Sequence, residues 1–400
     1  MADTVCVLPW IHLNFDPNGD VYPCCLTTFH GQKLGNLNQH AIKEVWNSDT
    51  MKSLRLEMLE GKKPKMCSIC FDREAATGQS VRLYNNQEFK NAIESIPSIT
   101  DLDGSVKKIK LKYWDFRFSN LCNFKCRTCV PNLSSSWIPD ARKLGFKETD
   151  NKIFEIKNIN DNTVYKFIDE NIDYVEKIYF AGGEPLLMDE HWYILNQLVE
   201  KKKFNVKLYY NTNLSTLEYK KEKITDLWKL WPRGKIEICP SIDEIEQRAE
   251  LVRSGTDWAK IEKNLIILSK IGNISIKPSI TVSVFNVSRI TKIIDHLLKL
   301  GLIQNKSNFH INLLQTPIYY HVSILSPNHK QLLIKQLKTY IDNYEVNIAE
   351  HFSYLINELL KETEENTLEK FREITKKLDS IRNENTASAV PEIAYLLNTC

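Results

Sequence analysis

Six short apolar segments, separated by amphipathic helical ones, constrain this chain more than any other feature. The strand-like segments fall at residues 109–118, 177–180, 206–210, 236–238, 276–284 and 309–314. Helical periodicity appears between them, for example at 191–199, 258–271 and 290–300. Strands that alternate with helices connect by right-handed crossovers and pair in parallel. The resulting α/β sheet can stay open or curl into a partial (β/α)6 barrel. In either form ligands bind at the carboxyl ends of the strands.

The chain has 400 residues, enough for this sheet plus smaller parts on both sides. Residues 1–75 are cysteine-rich, 76–107 read as a polar, irregular connector, 108–320 carry the alternation, and 321–400 read as helical. In the first part, 41–60 shows one helical pattern ended by Gly61 and Pro64. In the last, Ser326-Pro327 starts a helix on which Leu333, Leu337, Tyr340 and Tyr344 share a face. Leu368, Phe371, Ile374, Leu378 and Ile381 share another.

Hydrophobic residues make up 42% and charged residues 26%, which excludes disorder as the main state. With 53 basic and 50 acidic residues, no electrostatic footprint for nucleic acid is visible. No apolar run is long enough to span a bilayer, and no signal-peptide pattern opens the chain. A cytoplasmic setting is expected. Thiols stay reduced there, so ten cysteines point to metal or redox chemistry rather than disulfides.

Directly after the first strand the chain reads Leu121-Cys122-Asn123-Phe124-Lys125-Cys126-Arg127-Thr128-Cys129. Three thiolates spaced C-x3-C-x2-C on one loop can converge on one iron–sulfur cluster. A [4Fe–4S] cluster normally takes four cysteines, so three leave one iron open to a ligand. A zinc knuckle with a distant fourth ligand is the competing arrangement, although zinc sites favour C-x2-C. Three unligated buried thiols are disfavoured by Lys125 and Arg127 on the same loop.

This pattern resembles the radical S-adenosylmethionine (SAM) superfamily. The resemblance implies that Cys122, Cys126 and Cys129 hold a [4Fe–4S] cluster whose open iron chelates SAM. Reductive cleavage of SAM then yields a 5′-deoxyadenosyl radical. Phe124 and Thr128 in the loop are expected among the cofactor contacts. The family commonly has an aromatic residue where Thr128 stands, so the adenine contacts are shared differently here.

The second strand runs into Gly182-Gly183-Glu184-Pro185, which resembles the family's GGEP motif for the SAM ammonium. Glycines allow close backbone approach and Glu184 can accept a charge-assisted hydrogen bond. An ordinary Gly-Gly turn is the plain alternative. The third strand ends at Asn213. The fourth is followed by Ser241-Ile242-Asp243 and then Arg253-Ser254-Gly255, which resembles the family's S-x-D…R-x-G pattern. By that resemblance Asn213, Ser241, Arg253 and, after the fifth strand, Asn286 contact SAM. A surface cation is the alternative for Arg253. The likeness covers about residues 108–317.

The N-terminal cysteines form a second group. Cys6, Cys24, Cys67 and Cys70 make four possible ligands for zinc or a [4Fe–4S] cluster. Cys25 competes with Cys24, but only Cys24 gives a G-x4-C spacing from Gly19. The stretch resembles a SPASM or twitch module, which carries auxiliary clusters and usually follows the barrel. Four cysteines fit one auxiliary [4Fe–4S] cluster. His12, His30 and His40 are not needed as ligands. Cys239, Cys400, the lysine clusters and Trp10, Trp46, Trp114 and Trp137 read as structural or solvent-facing.

The resemblance implies an enzyme that cleaves SAM and abstracts hydrogen from a substrate, with a reductant such as flavodoxin or ferredoxin as partner. A peptide or protein substrate is expected by analogy, with a small molecule (sugar, nucleotide or cofactor precursor) as the alternative. A non-catalytic zinc or iron–sulfur scaffold is the competing class. It does not require Gly182–Pro185 or polar residues at the strand ends.

Overall fold

The computed structural model describes residues 2–30, 32–146, 156, 158–159, 162–303, 308–343 and 349–398. The chain folds as two compact units, Met1–Asn120 with Phe154–Tyr209 and Leu121–Ile153 with Tyr210–Cys400. These units cut across the expected boundaries, because the cysteine-rich segment shares a sheet with the first strand of the α/β repeat.

In the first unit, β1 (His12–Phe15), β2 (Asp20–Tyr22), β3 (Gly35–Asn36), β4 (Tyr113–Phe116) and β5 (Lys177–Phe180) stand in the order β5-β4-β1-β2-β3. The β4·β5 and β1·β4 pairs are parallel, whereas β1·β2 and β2·β3 are antiparallel. Strand side chains alternate between faces. Phe15 stacks on Phe116 at 4.3 Å, and Phe116 meets Phe167 of the helix Val164–Asn171 at 6.0 Å. That face is apolar. The opposite face carries His12, Asn14, Tyr113 and Asp115.

The helical pattern at 41–60 resolves into two helices, Ile42–Trp46 and Asp49–Leu59. Ser48 separates them by capping the second, its Oγ accepting from Met51 N at 3.3 Å. The larger difference lies at 76–107, where two helices, Val81–Glu88 and Lys90–Ile99, replace the expected irregular connector. Gly78 ends the preceding helix in the left-handed region (φ +70°), and Ser80 caps the next. The inward face of Val81–Glu88 carries Arg82 and Asn85, so the apolar periodicity that marks a helix is missing there.

In the second unit, β7 (Ile236–Pro240) pairs in parallel with β8 (Ile274–Ile276), and β9 (Ser279–Val282) with β10 (His310–Leu313). A bridge from Ser241 to Ser279 joins the pairs. The segment 276–284 was expected as one strand. It breaks at Lys277-Pro278, where proline removes a ladder donor. The strand β6 (Lys207–Thr212) passes from the first unit into the second. Helices Pro327–Asp342, Ala349–Leu359 and Thr367–Arg382 fill the expected C-terminal region. Phe371, Ile374 and Leu378 are wholly buried at helical spacing. Tyr344 and Cys400 lie outside the described residues. Among the described residues no helix is long and apolar enough to cross a membrane.

Candidate metal centres and cofactor site

The loop after β4 is held by its own backbone and by the segment 252–255. Lys125 N donates to Ser254 O and Arg127 N to Val252 O, both at 2.8 Å. Ser136 Oγ donates to Cys122 O at 2.7 Å, Trp137 Nε1 to Cys126 O at 2.6 Å, and Ser134 Oγ to Phe124 O at 2.5 Å. Gly255 permits the approach. Its φ is +104°, and a Cβ there would stand 2.9 Å from Asn123 O and 3.1 Å from Phe124.

Cys126 is buried, whereas Cys122 and Cys129 are partly exposed. Burial pushes the Cys126 thiol up, and the nearby Arg253 guanidinium pulls it down. Asn213 Nδ2 lies 3.8 Å from Cys122 Sγ and donates to Asn123 Oδ1 at 2.9 Å. Arg253 pairs with buried Asp243 at 2.6 Å and lies over the Phe124 ring.

Phe124, Asn213, Ser241 and Arg253, four of the expected cofactor residues, line one cavity. Glu244, Thr256 and Trp258 line it too and were not anticipated. Thr256 directly follows the Arg253-Ser254-Gly255 run, a signal that the sequence did offer. Thr128 does not line this cavity. Asn286, expected at the cofactor, is instead wholly buried in the backbone framework. It donates to Asp243 O at 2.7 Å and Thr281 O at 2.9 Å, and accepts from Ser283 N. Both amide hydrogens are thereby committed.

In the first unit the Gly182–Pro185 turn follows β5. Gly182 has φ +110°, and a Cβ there would stand 3.0 Å from Arg117 Cβ. Gly183 N donates to Ser119 O at 3.2 Å. Glu184 is buried, and its Oε1 accepts from Leu186 N at 3.1 Å.

Cys6, Cys24, Cys67 and Cys70 line a single cavity with Leu8, Met66 and Arg82. Cys25 does not line it. Its thiol is instead influenced by Asp115 and Arg117, and burial pushes it up to about 11. Burial also raises the other four thiols. Arg82 opposes this at Cys6, Cys67 and Cys70. It is fixed by Glu74 at 2.9 and 2.5 Å and by the carbonyls of Asp3 and Val5. Sequence reading missed Arg82 because it lies in the supposed connector. Metal ligation requires these thiols as thiolates, and a bound cation supplies most of that shift.

Among the described residues no three cysteine sulfurs lie within 4.8 Å of one another. Tetrahedral zinc, with Zn–S of about 2.3 Å, holds its sulfurs about 3.8 Å apart.

A model of the radical SAM superfamily matches residues 116–297, and a model of the SPASM iron–sulfur cluster-binding domain matches residues 6–71. The chain is similar to GTP 3′,8-cyclase from Aliarcobacter butzleri, with 27% identity over 173 residues, 43% of this chain and 46% of that one. It is also similar to GTP 3′,8-cyclase from Sulfurimonas denitrificans, with 26% identity over 140 residues, 35% of this chain and 37% of that one. The match thus spans less than half the length of these relatives. Among solved structures, native anSMEcpe with bound AdoMet gives a TM-score of 0.40 at 16% identity, covering 57% of this chain and 59% of that one. Streptococcus suis SuiB bound to precursor peptide SuiA gives 0.37 at 13%, covering 87% and 74%. Likenesses this distant assign no reaction.

Proposed function

We propose, on the premise that the chain belongs to the radical SAM superfamily and carries a SPASM domain near its N-terminus, that it modifies a peptide or protein by radical chemistry. The observation that carries the SAM-binding part is the shared cavity of Phe124, Asn213, Ser241 and Arg253 beside the loop of Cys122, Cys126 and Cys129. The bound cluster and SAM supply a 5′-deoxyadenosyl radical that abstracts hydrogen from a substrate. The chain's residues hold and orient these groups.

In this reading Cys122, Cys126 and Cys129 are the cluster ligands, and Asn213 hydrogen-bonds next to Cys122. Arg253, fixed by Asp243, places a cation at the cavity for a carboxylate. Gly182, Gly183, Glu184 and Pro185 receive the SAM ammonium, with Glu184 as acceptor. Ser241 completes the polar wall, and Thr128 is a minor contact. Cys6, Cys24, Cys67 and Cys70 hold the auxiliary cluster, near which Arg82 favours the thiolates. The setting is a reducing cytoplasm, with flavodoxin or ferredoxin as electron donor. The peptide or protein substrate rests on analogy with enzymes that carry such cluster modules. A nucleotide is the second reading, because the curated relatives are GTP 3′,8-cyclases.

Anaerobic reconstitution tests this. The wild-type protein is expected to take about eight irons and to form 5′-deoxyadenosine under reduction. Cys126→Ala should abolish 5′-deoxyadenosine formation. Cys24→Ser should leave about four irons, while Cys25→Ser keeps about eight. A soluble wild-type protein that takes no iron and cleaves no SAM would sink the enzyme reading. Stoichiometric conversion of GTP would replace the peptide with the nucleotide.

A further inference from the structure

The polar face of the first unit's sheet has an unbalanced set of hydrogen-bonding groups. Asn14 on β1 stands in register with Asp115 on β4. Asn14 is wholly buried, yet neither its Oδ1 nor its Nδ2 has a hydrogen-bond partner. Asp115 is buried with its carboxylate 3.3 Å from Arg117 Nε. Asp16 Oδ1 is buried without a hydrogen bond, 3.6 Å from Arg117 Nη1. Two carboxylates thus share one guanidinium, which leaves one negative charge uncompensated.

Buried polar groups are almost always hydrogen-bonded, and an uncompensated buried charge is costly. The deficit here is specific. Two acceptors, the Asn14 carbonyl and Asp16 Oδ1, have no donor, Asp115 shares the Arg117 guanidinium with Asp16, and the patch is short of one positive charge; the Asp16 side chain is 24% exposed, so the patch meets solvent at that end. The neighbouring charges do not fill it. Lys177 is taken by Glu88 at 2.7 Å and by the rings of Tyr113, Tyr209 and Tyr84, and Lys207 also pairs with Glu88. His12 is held neutral by burial. At its outer end the patch borders the Gly182 turn through Arg117.

We propose that Asn14, Asp16 and Asp115 form a subsite for a primary ammonium group of the substrate. An ammonium supplies donors for both unpaired acceptors and the missing positive charge. Asn14 Nδ2 is then left to donate to an acceptor of the bound molecule. An anionic group is repelled. The inference rests on the proposed function, since the amine belongs to the molecule being modified.

The test uses reconstituted full-length protein and two capped peptides, acetyl-Gly-Lys-Gly-amide and its norleucine counterpart, which replaces the ammonium by a methyl group. Calorimetric titration is expected to show the lysine peptide binding at least tenfold more tightly. Asp115→Asn should remove that preference. Asn14→Leu provides the second variant, because a merely structural asparagine and a ligand-binding one behave oppositely. If Asn14 serves a ligand, Asn14→Leu removes an unsatisfied buried amide. The melting temperature then rises while lysine-peptide binding weakens at least tenfold. A falling melting temperature with unchanged binding would overturn the proposal, as would equal binding of the two peptides to wild-type protein. Wild-type protein is assayed for SAM cleavage in parallel. Cleavage without ammonium preference rejects the subsite alone, whereas absence of iron uptake and cleavage rejects the underlying reading.

Discussion

Arg127, between the second and third cysteines of the loop, offers a sharp test of what holds that loop in place. Its side chain is wholly buried, and its Nη2 lies 2.5 Å from both Asp379 and Glu384 at the end of the helix Thr367–Arg382. Glu384 also accepts from Ser254 Oγ at 2.6 Å. Arg127→Met leaves two carboxylates without their cation. Breaking a buried pair in this way costs about 3–5 kcal/mol. The carboxylates are 18% and 20% exposed, so water reaches them, and the lower end, about 3 kcal/mol, is expected. The unit, 121–153 and 210–400, contains 224 residues. In a unit of that size, each kcal/mol shifts the melting temperature by about 2–4 °C, so a fall of about 6–12 °C should appear by calorimetry. Adding Asp379→Asn and Glu384→Gln removes the stranded charges, and the triple variant should recover at least half of the loss. A single variant within 1 °C of wild type, or a triple variant worse than the single, would refute the argument.

Gly255→Ala should destabilise the second unit by about 1–3 kcal/mol, since it forces a Cβ against Asn123 O at a positive φ. The midpoint of denaturant unfolding reads this, and iron retention by the triplet should fall with it. His12 supplies a pH dependence. Burial lowers it from 6.5 to about 4, against the weaker opposite pull of Asp115. The folded protein keeps it neutral while the unfolded chain takes up a proton. Stability is therefore lost as pH falls from 6.5 towards 4, at up to about 1.4 kcal/mol per pH unit. His12→Phe should flatten the slope of unfolding free energy between pH 6.5 and 5 by about that amount.

The strands at 177–180 and 309–314 and the C-terminal helices were legible because apolar spacing alone marks them. The connector was misread for the opposite reason. The helix Val81–Glu88 turns Arg82 and Asn85 inward, and a buried arginine looks like surface in a sequence. The same residue supplies the cation beside Cys6, Cys67 and Cys70, so the misreading hid part of the proposed metal centre. Asn286 failed differently. A polar residue after a strand can face a ligand or satisfy the backbone, and only the hydrogen bonds to Asp243 and Thr281 distinguish the two.

The position of β1 explains why the cysteine-rich segment should not be treated as an appendage. A strand of four residues, His12–Phe15, gives no strong signal alone, and its alternation places His12 and Asn14 on one face and Leu13 and Phe15 on the other. Its parallel pairing with β4 buries all four residues. The pairing also sets Cys24 and Cys25 on divergent paths. Cys24 lines the cavity with Cys6, Cys67 and Cys70, whereas Cys25 does not line it. β1 connects Cys6 to the turn that leads to Cys24 and carries Asn14, so it is the direct link between the quartet and the polar face. Loss of the auxiliary centre by Cys67→Ser should then weaken lysine-peptide binding as well as iron content, whereas independent modules would lose only the iron.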